Sequence, residues 1–330
     1  MFFFLFSIIL FYGCENDKSN PVSKFPATRV MSLYIDKNGI IWAGTDHGIV
    51  SYFSGKWRAY KNVKNIPEGI VNDLAFSISG GGQLWMATLN GAGAVKYEMD
   101  AILSATSYTK ESSGLQDNRI NSVLTDAINA LWFATPVGLS LFREGTWYTE
   151  TSLGDLAINP AISLGSRSDG WIFAGTRGLG VGRFKFDESI DGITGASYYN
   201  TDWSGLPSDT ILSVFVDKND NQWFGTTSGV AFHTSWETKI GWTVFTVTDG
   251  LVNKRVQTIM EDSNGVLWFG TAGGVSSFDG ENWRNYSVQD GLSDPCINDI
   301  ATAADGTIWF ATNNGITSFD GAVWTKYSSD

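Results

Sequence analysis

Apolar and polar residues alternate in short stretches that return along the whole chain. "RVMSLYID" (29–36), "RINSVLTD" (119–126), "RVQTIMED" (255–262) and "CINDIATA" (296–303) each carry a period of two. That period predicts a β-strand with one face buried. A turn rich in Asp, Asn and Gly follows, as in "DKNG", "DKNDN", "DSNG" and "ADG". Next comes a second apolar strand containing Trp, then a Gly-bearing turn. A third strand ends in an aromatic ("GIVSYF", "GLSLF", "GVSSF"), and a fourth follows in "WRAY", "WYTE", "WRNY" and "WTKY". No segment shows a helical period.

The order recurs seven times. The second strand reads "IWAGT", "LWMAT", "LWFAT", "IFAGT", "QWFGT", "LWFGT" and "IWFAT", ending at Thr45, Thr88, Thr135, Thr176, Thr226, Thr271 and Thr312. Four short strands per copy make one propeller blade, and a blade buries both faces only when the ring closes. The fold expected is therefore all-β, a seven-bladed β-propeller with four antiparallel strands per blade. Blades are expected at about 26–68, 69–115, 116–157, 158–205, 206–251, 252–292 and 293–330. Each should be one continuous segment, because the first copy opens on its inner strand and the last ends on its outer one. Trp42, Trp85, Trp132, Trp223, Trp268 and Trp309, with Phe173 in the fourth copy, should fill the space between blades. The residue before each Thr is always Gly or Ala, as a close approach between blades requires. Glycines three residues after Thr should supply positive φ, and the second and fourth copies read as stretching this turn to "TLNGAG" and "TRGLG".

The first thirteen residues, "MFFFLFSIILFYG", are almost wholly apolar but shorter than the run of about 20 that a span needs. They read as a signal peptide (1–13). "FYGC" is similar to a bacterial lipobox, which implies lipidation of Cys14. The polar run that follows reads as a tether, residues 14–25. The second cysteine, Cys296, is expected to be a buried structural thiol. A net charge of −12 lacks the basic footprint that nucleic acid needs. Expected partners are a glycan, a peptide or an envelope protein, with the bilayer met only through the acylated N-terminus of a monomer.

The repeat resembles the two-component regulator propeller repeat, most clearly at Val256–Leu292 and Ile297–Tyr327, where "DGL" at 249–251 and 290–292 matches the link into the next copy. In its best-known setting that repeat builds the extracytoplasmic sensor of bacterial hybrid histidine kinases, which often read glycans. Those receptors carry paired propellers, a further β domain, a membrane span and a kinase, and this sequence shows none of the last three. The resemblance implies a binding role and names no ligand; with the lipobox, a lipid-anchored protein of the cell envelope is expected, at the outer membrane, periplasmic or surface-exposed.

By propeller geometry the turn after Thr and the link between blades open on one face. That face should hold Asp46, His47, Asn90, Pro136, Arg177, Thr227, Ser228, Asn313 and Asn314, with Arg119, Trp203 and Arg255 from the links. Of 14 Trp, only Trp171, Trp203 and Trp236 fall outside repeat positions, and one in a link loop is placed to stack on a ligand. An enzyme alternative is a lyase similar to virginiamycin B lyase, another seven-bladed propeller, with His47 the histidine on the candidate face. No His/Glu constellation supports that role. "DKNDNQ" (217–222) imitates the start of a calcium loop but lacks the Gly at its sixth position and the acidic twelfth residue, so it reads as a turn. No phosphate loop, nucleophile elbow or Cys/His metal cluster occurs. No cofactor, metal or catalytic residue is expected.

Overall fold

The computed structural model describes residues 25–60, 63–149, 160–202, 204–234 and 241–329. The signal peptide, Cys14, Trp203 and Trp236 lie outside them. Seven four-stranded antiparallel sheets follow one another, each with its strands in sequence order. The first runs Val30–Ile35, Ile41–Thr45, Gly48–Phe53 and Lys56–Tyr60. Each blade is thus one continuous segment, with no strand exchanged to close the ring. First strands of successive blades touch one another, including Val30–Ile35 against Ile297–Thr302, so these strands surround the axis. Among the described residues no helix is long and apolar enough to cross a membrane.

The core is seven clusters, each drawn from two adjacent blades. Trp42, Trp85, Trp132, Phe173, Trp223, Trp268 and Trp309 are all at most 6% exposed. They reach into the neighbouring blade: Trp85 meets Phe133 edge-on at 5.9 Å between centroids, and Trp268 meets Phe310 at 6.0 Å. These edge-to-face contacts add directional energy to the area buried. The small residue before Thr has the expected cause. A Cβ on Gly44 would stand 2.6 Å from Ser32 Oγ and 2.8 Å from Val71 of the next blade.

The seven threonines are buried. In every copy the hydroxyl donates to the carbonyl of the turn glycine at 2.7–2.9 Å. It also accepts a backbone N–H from inside the turn. Gly48, Gly91, Gly138, Gly180, Gly229, Gly274 and Gly315 all have positive φ. The second copy is not stretched: Gly91 sits three residues after Thr88 like its counterparts, and only Thr176–Gly180 gains a residue. The ring also starts slightly earlier than expected. Phe25, assigned to the tether, is 1% exposed, packs edge-on against Trp57 at 4.8 Å, and donates its N–H to Ser328.

Candidate functional site

The inner strands begin at the face where the Thr turns open, called the upper face below. In six of the seven blades a β-bulge lies just inside that entrance, between the first and third residues of the inner strand. A bulge bends the strand and re-aims the extra residue. Three of the extra residues are amides that bridge to the next blade, and Asn121 takes the same place in blade 3, whose inner strand begins one residue later at Ser122. Asn72 donates to Ile120 O, Asn121 to Ala161 O, Gln257 to Ile297 O and Asn298 to Val30 O, all at 2.7–2.8 Å. In blades 1, 4 and 5 the same position is apolar: Met31, Ile162 and Leu212, each half-buried. The channel mouth therefore has amide arcs and an apolar arc where blades 4 and 5 adjoin.

Just outside the bulge, at the outermost position of the repeat, stand Arg29, Arg119 and Arg255, all exposed. Arg119 is engaged: Nε and Nη2 each lie 3.1 Å from a different oxygen of Asp117, whose carboxyl the guanidinium holds below its usual range. Arg29, Arg255 and, on its turn, Arg177 have no side-chain hydrogen bond or ion pair among the described residues. The seventh blade puts Cys296 at the outermost position. That thiol is half-buried just before its strand, with Gln257 Nε2 at 3.4 Å, so it is a mouth residue and not the buried core thiol expected from sequence.

The face residues expected from sequence are distributed around the rim. Asp46 and His47 line a cavity of about 310 Å³ together with Tyr60, Pro67 and Glu68, and Asn90 Nδ2 donates to Glu68 O beside it at 2.8 Å. His47 Nδ1 lies 3.0 Å from Asp46 Oδ1, but without hydrogen-bond geometry, so Asp46 does not orient the ring. Thr227 shares a 2.8 Å hydrogen bond with Ser208, and Asn313 accepts from Asn298 at 3.1 Å. Ser228 and Asn314 offer their backbone N–H to the turn threonines. Pro136 is half-buried in its turn. Arg177 N donates to Pro160 O, and the residue bridges to Thr210. The second histidine, His233, is 1% exposed and packs on Trp242 at 4.5 Å between centroids. In "DKNDNQ" the Asp217 carboxylate accepts from Asn219 N, Asn221 N, Asn221 Nδ2 and Trp223 Nε1, which is hairpin capping.

Deeper in the channel lie two carboxylates that sequence reading missed. Asp73 accepts from Leu74 N of its own blade and from Val123 N and Ser122 Oγ of the next. Asp299 accepts from Ile300 N, from Leu33 N of blade 1 and from Thr258 Oγ1 of blade 6. Enclosure by the blades raises Asp73 to about 6; it raises Asp299 to about 7, with repulsion from Asp73 adding to it. Arg29 was missed too. Lining up the copies finds all three, because Arg29 shares its place with Arg119 and Arg255, and Asp73 and Asp299 stand where the other copies have Ser or Thr.

The two-component regulator propeller model matches residues 24–47, 250–273 and 291–314, each ending in the turn after Thr. The chain is a seven-bladed propeller, and its first, sixth and seventh blades contain the stretches that match this repeat. No curated protein matches the sequence. Among solved structures it is similar to PorZ, a surface component of the type IX secretion system of Porphyromonas gingivalis. That likeness has a TM-score of 0.70 and 16% identity, over 90% of this chain and 47% of that one. Virginiamycin B lyase from Staphylococcus aureus, solved with quinupristin, gives 0.64 at 17% identity, over 87% and 92%. The extracellular domain of a hybrid two-component system of B. thetaiotaomicron gives 0.47 at 16%, over 88% and 51%. The chain thus spans about half the length of two of these three. At such identities the first two likenesses show the fold alone.

Proposed function

We propose that the protein is a non-catalytic binding module of the cell envelope. Its upper-face mouth takes a glycan, a peptide or a segment of a protein partner. The observation that carries this reading is the contrast within the face. The turn threonines there are matched in all seven blades. Arg29, Arg177 and Arg255 carry charge with no side-chain partner among the described residues, and Arg177 and Arg255 belong to blades 4 and 6, at or next to the apolar arc of Ile162 and Leu212. Convergent polar groups around an apolar patch are the usual make-up of a ligand site. The matching repeat and the extracytoplasmic neighbours support an envelope location, and Cys14 is the proposed lipidation site.

A thermal-shift and calorimetric screen of glycans and peptides tests the reading. A ligand should raise Tm, and Arg29→Ala with Arg255→Ala should abolish the shift while leaving the unliganded Tm unchanged. A ligand shift that survives both substitutions overturns the assignment to the mouth. The lyase alternative has the fold likeness and the cavity around His47 in its favour. The absence of hydrogen-bond geometry between His47 and Asp46 argues against an oriented base. Turnover that His47→Ala removes would establish it. For the anchor, Cys14→Ser should move the protein from the membrane to the soluble fraction.

A further inference from the structure

Blade 4 breaks the repeat at two linked positions. The inter-blade Trp becomes Phe173. The Asp six residues earlier, which caps the hairpin in blades 1, 3, 5 and 6, becomes Arg167. A Trp also stands two residues before Phe173, at Trp171, where the other copies have Ile40, Gln83, Ala130, Asn221, Val266 and Thr307. The core does not need it, since Phe173 is fully buried in the inter-blade position. Trp171 instead lines a cavity of about 660 Å³ on the lower face, between blades 3 and 4.

Arg183, which does not line the cavity, lies 4.2 Å from the centroid of the Trp171 ring, and Lys185 lies at 5.9 Å. On the blade 3 side, Arg143 lies over Phe186 at 4.5 Å and pairs with Glu188 at 3.0 Å. Asp169 pairs with Arg167 at 3.0 Å. Beyond the Arg143–Glu188 pair a second cavity of about 320 Å³ continues past Tyr148 to Asp191. The two share Arg143, Phe186 and Glu188, so they form one groove with an aromatic side chain in each half.

We propose that this groove is a binding site for a neutral oligosaccharide, with Trp171 as its stacking platform. An indole presents a flat apolar face suited to the C–H face of a pyranose. Guanidinium–carboxylate pairs place donors and acceptors side by side, and a sugar hydroxyl is both donor and acceptor. A cationic ligand is disfavoured because Lys185 and Arg143 line the groove, while Arg183 lies against Trp171 outside it. An anionic one would meet Asp169, Asp187 and Glu188. The volume falls in the range of about 300–1,000 Å³ usual for ligand sites. The proposal is independent of the upper-face reading.

The test titrates the full chain with gluco-, xylo- and manno-oligosaccharides, read by calorimetry and by Trp fluorescence. At least one series should bind. Trp171→Ala should weaken it by about tenfold or more, roughly the loss of one aromatic stacking contact. Trp171→Tyr should recover part of that loss, and Tm should confirm that both variants are folded. Arg255→Ala, on the opposite face, should leave this binding unchanged. The proposal is overturned if no series binds, if Trp171→Ala leaves affinity unaltered, or if Arg255→Ala abolishes the same binding. That last result would assign the sugar to the upper face.

Discussion

At the scale of single residues, the repeat uses one carboxylate to hold both its hairpin and its Trp. Asp262 Oδ1 accepts from Asn264 N and Val266 N, and Oδ2 accepts from Trp268 Nε1 at 3.0 Å. Asp126 and Asp217 repeat the arrangement on Trp132 and Trp223. In these three blades the buried indole N–H is thus satisfied, whereas Trp42 and Trp85 are buried as deeply without a carboxylate on the indole. Asp262→Ala should cost about 2–3 kcal/mol, since charge-assisted bonds are lost and a buried donor is left without a partner. Trp268→Ala should cost more, about 3–5 kcal/mol, because a cavity adds to the lost transfer energy. Chemical denaturation of each variant gives both values. If Asp262→Ala leaves the midpoint in place, the indole bond contributes nothing net.

At the scale of elements, the link between blades explains the recurring "DGL". Asp290 Oδ2 accepts from Ser287 N and Oγ, and Asp249 Oδ2 does the same for Thr246. Gly250 and Gly291 have φ near +130° and lie on Trp283 and Trp324 of the blade that follows. Leu251 and Leu292 are buried behind them. A methyl on Gly291 would run into Trp324 Cβ. Gly291→Ala should therefore destabilise by about 1–3 kcal/mol through overpacking and the disfavoured φ. A thermal melt equal to that of the parent chain would show that the link yields instead. The strands, their order, the inter-blade Trp and the blade count were legible because each is written several times at fixed spacing. What was not legible arises between copies. The Arg143–Glu188 pair spans 45 residues, and Asp299 reaches Leu33 across 266. Neither pair joins equivalent positions of two copies. The supposed stretch at "TLNGAG" failed because its second Gly is already in the next strand, Gly91–Glu98.

At the scale of the whole molecule, the ring closes by packing and by side-chain and backbone hydrogen bonds, Gly315 donating its N–H to Thr28 O. Phe25, Val30 and Leu33 share a cluster with Trp309 and Tyr327, Asn298 donates to Val30 O, and Asp299 ties blade 7 to blades 6 and 1. This closure should respond to pH. Asp73 and Asp299 have an unfolded value near 3.8, against about 6 and about 7 in the folded chain. Between those limits the folded protein binds more protons than the unfolded one, so stability falls as pH rises and levels off above about pH 7. Some solvent in the channel screens the effect, leaving about 2–4 kcal/mol for the pair. The carboxylates of Asp117, Asp249, Asp279, Asp290 and Asp320 are shifted down by their hydrogen bonds and act with the opposite sign, but only below about pH 4. The interval from about pH 4 to 7 therefore lies above these shifts. Asp299→Asn keeps an acceptor oxygen, cannot ionise, and removes the charge that Asp73 opposes. It should flatten the fall in Tm across that interval and raise Tm at pH 8. A parent chain whose Tm is level from pH 4 to 7, or a variant with an unchanged slope, would show that the channel carboxylates are fully solvated and that closure does not depend on their protons.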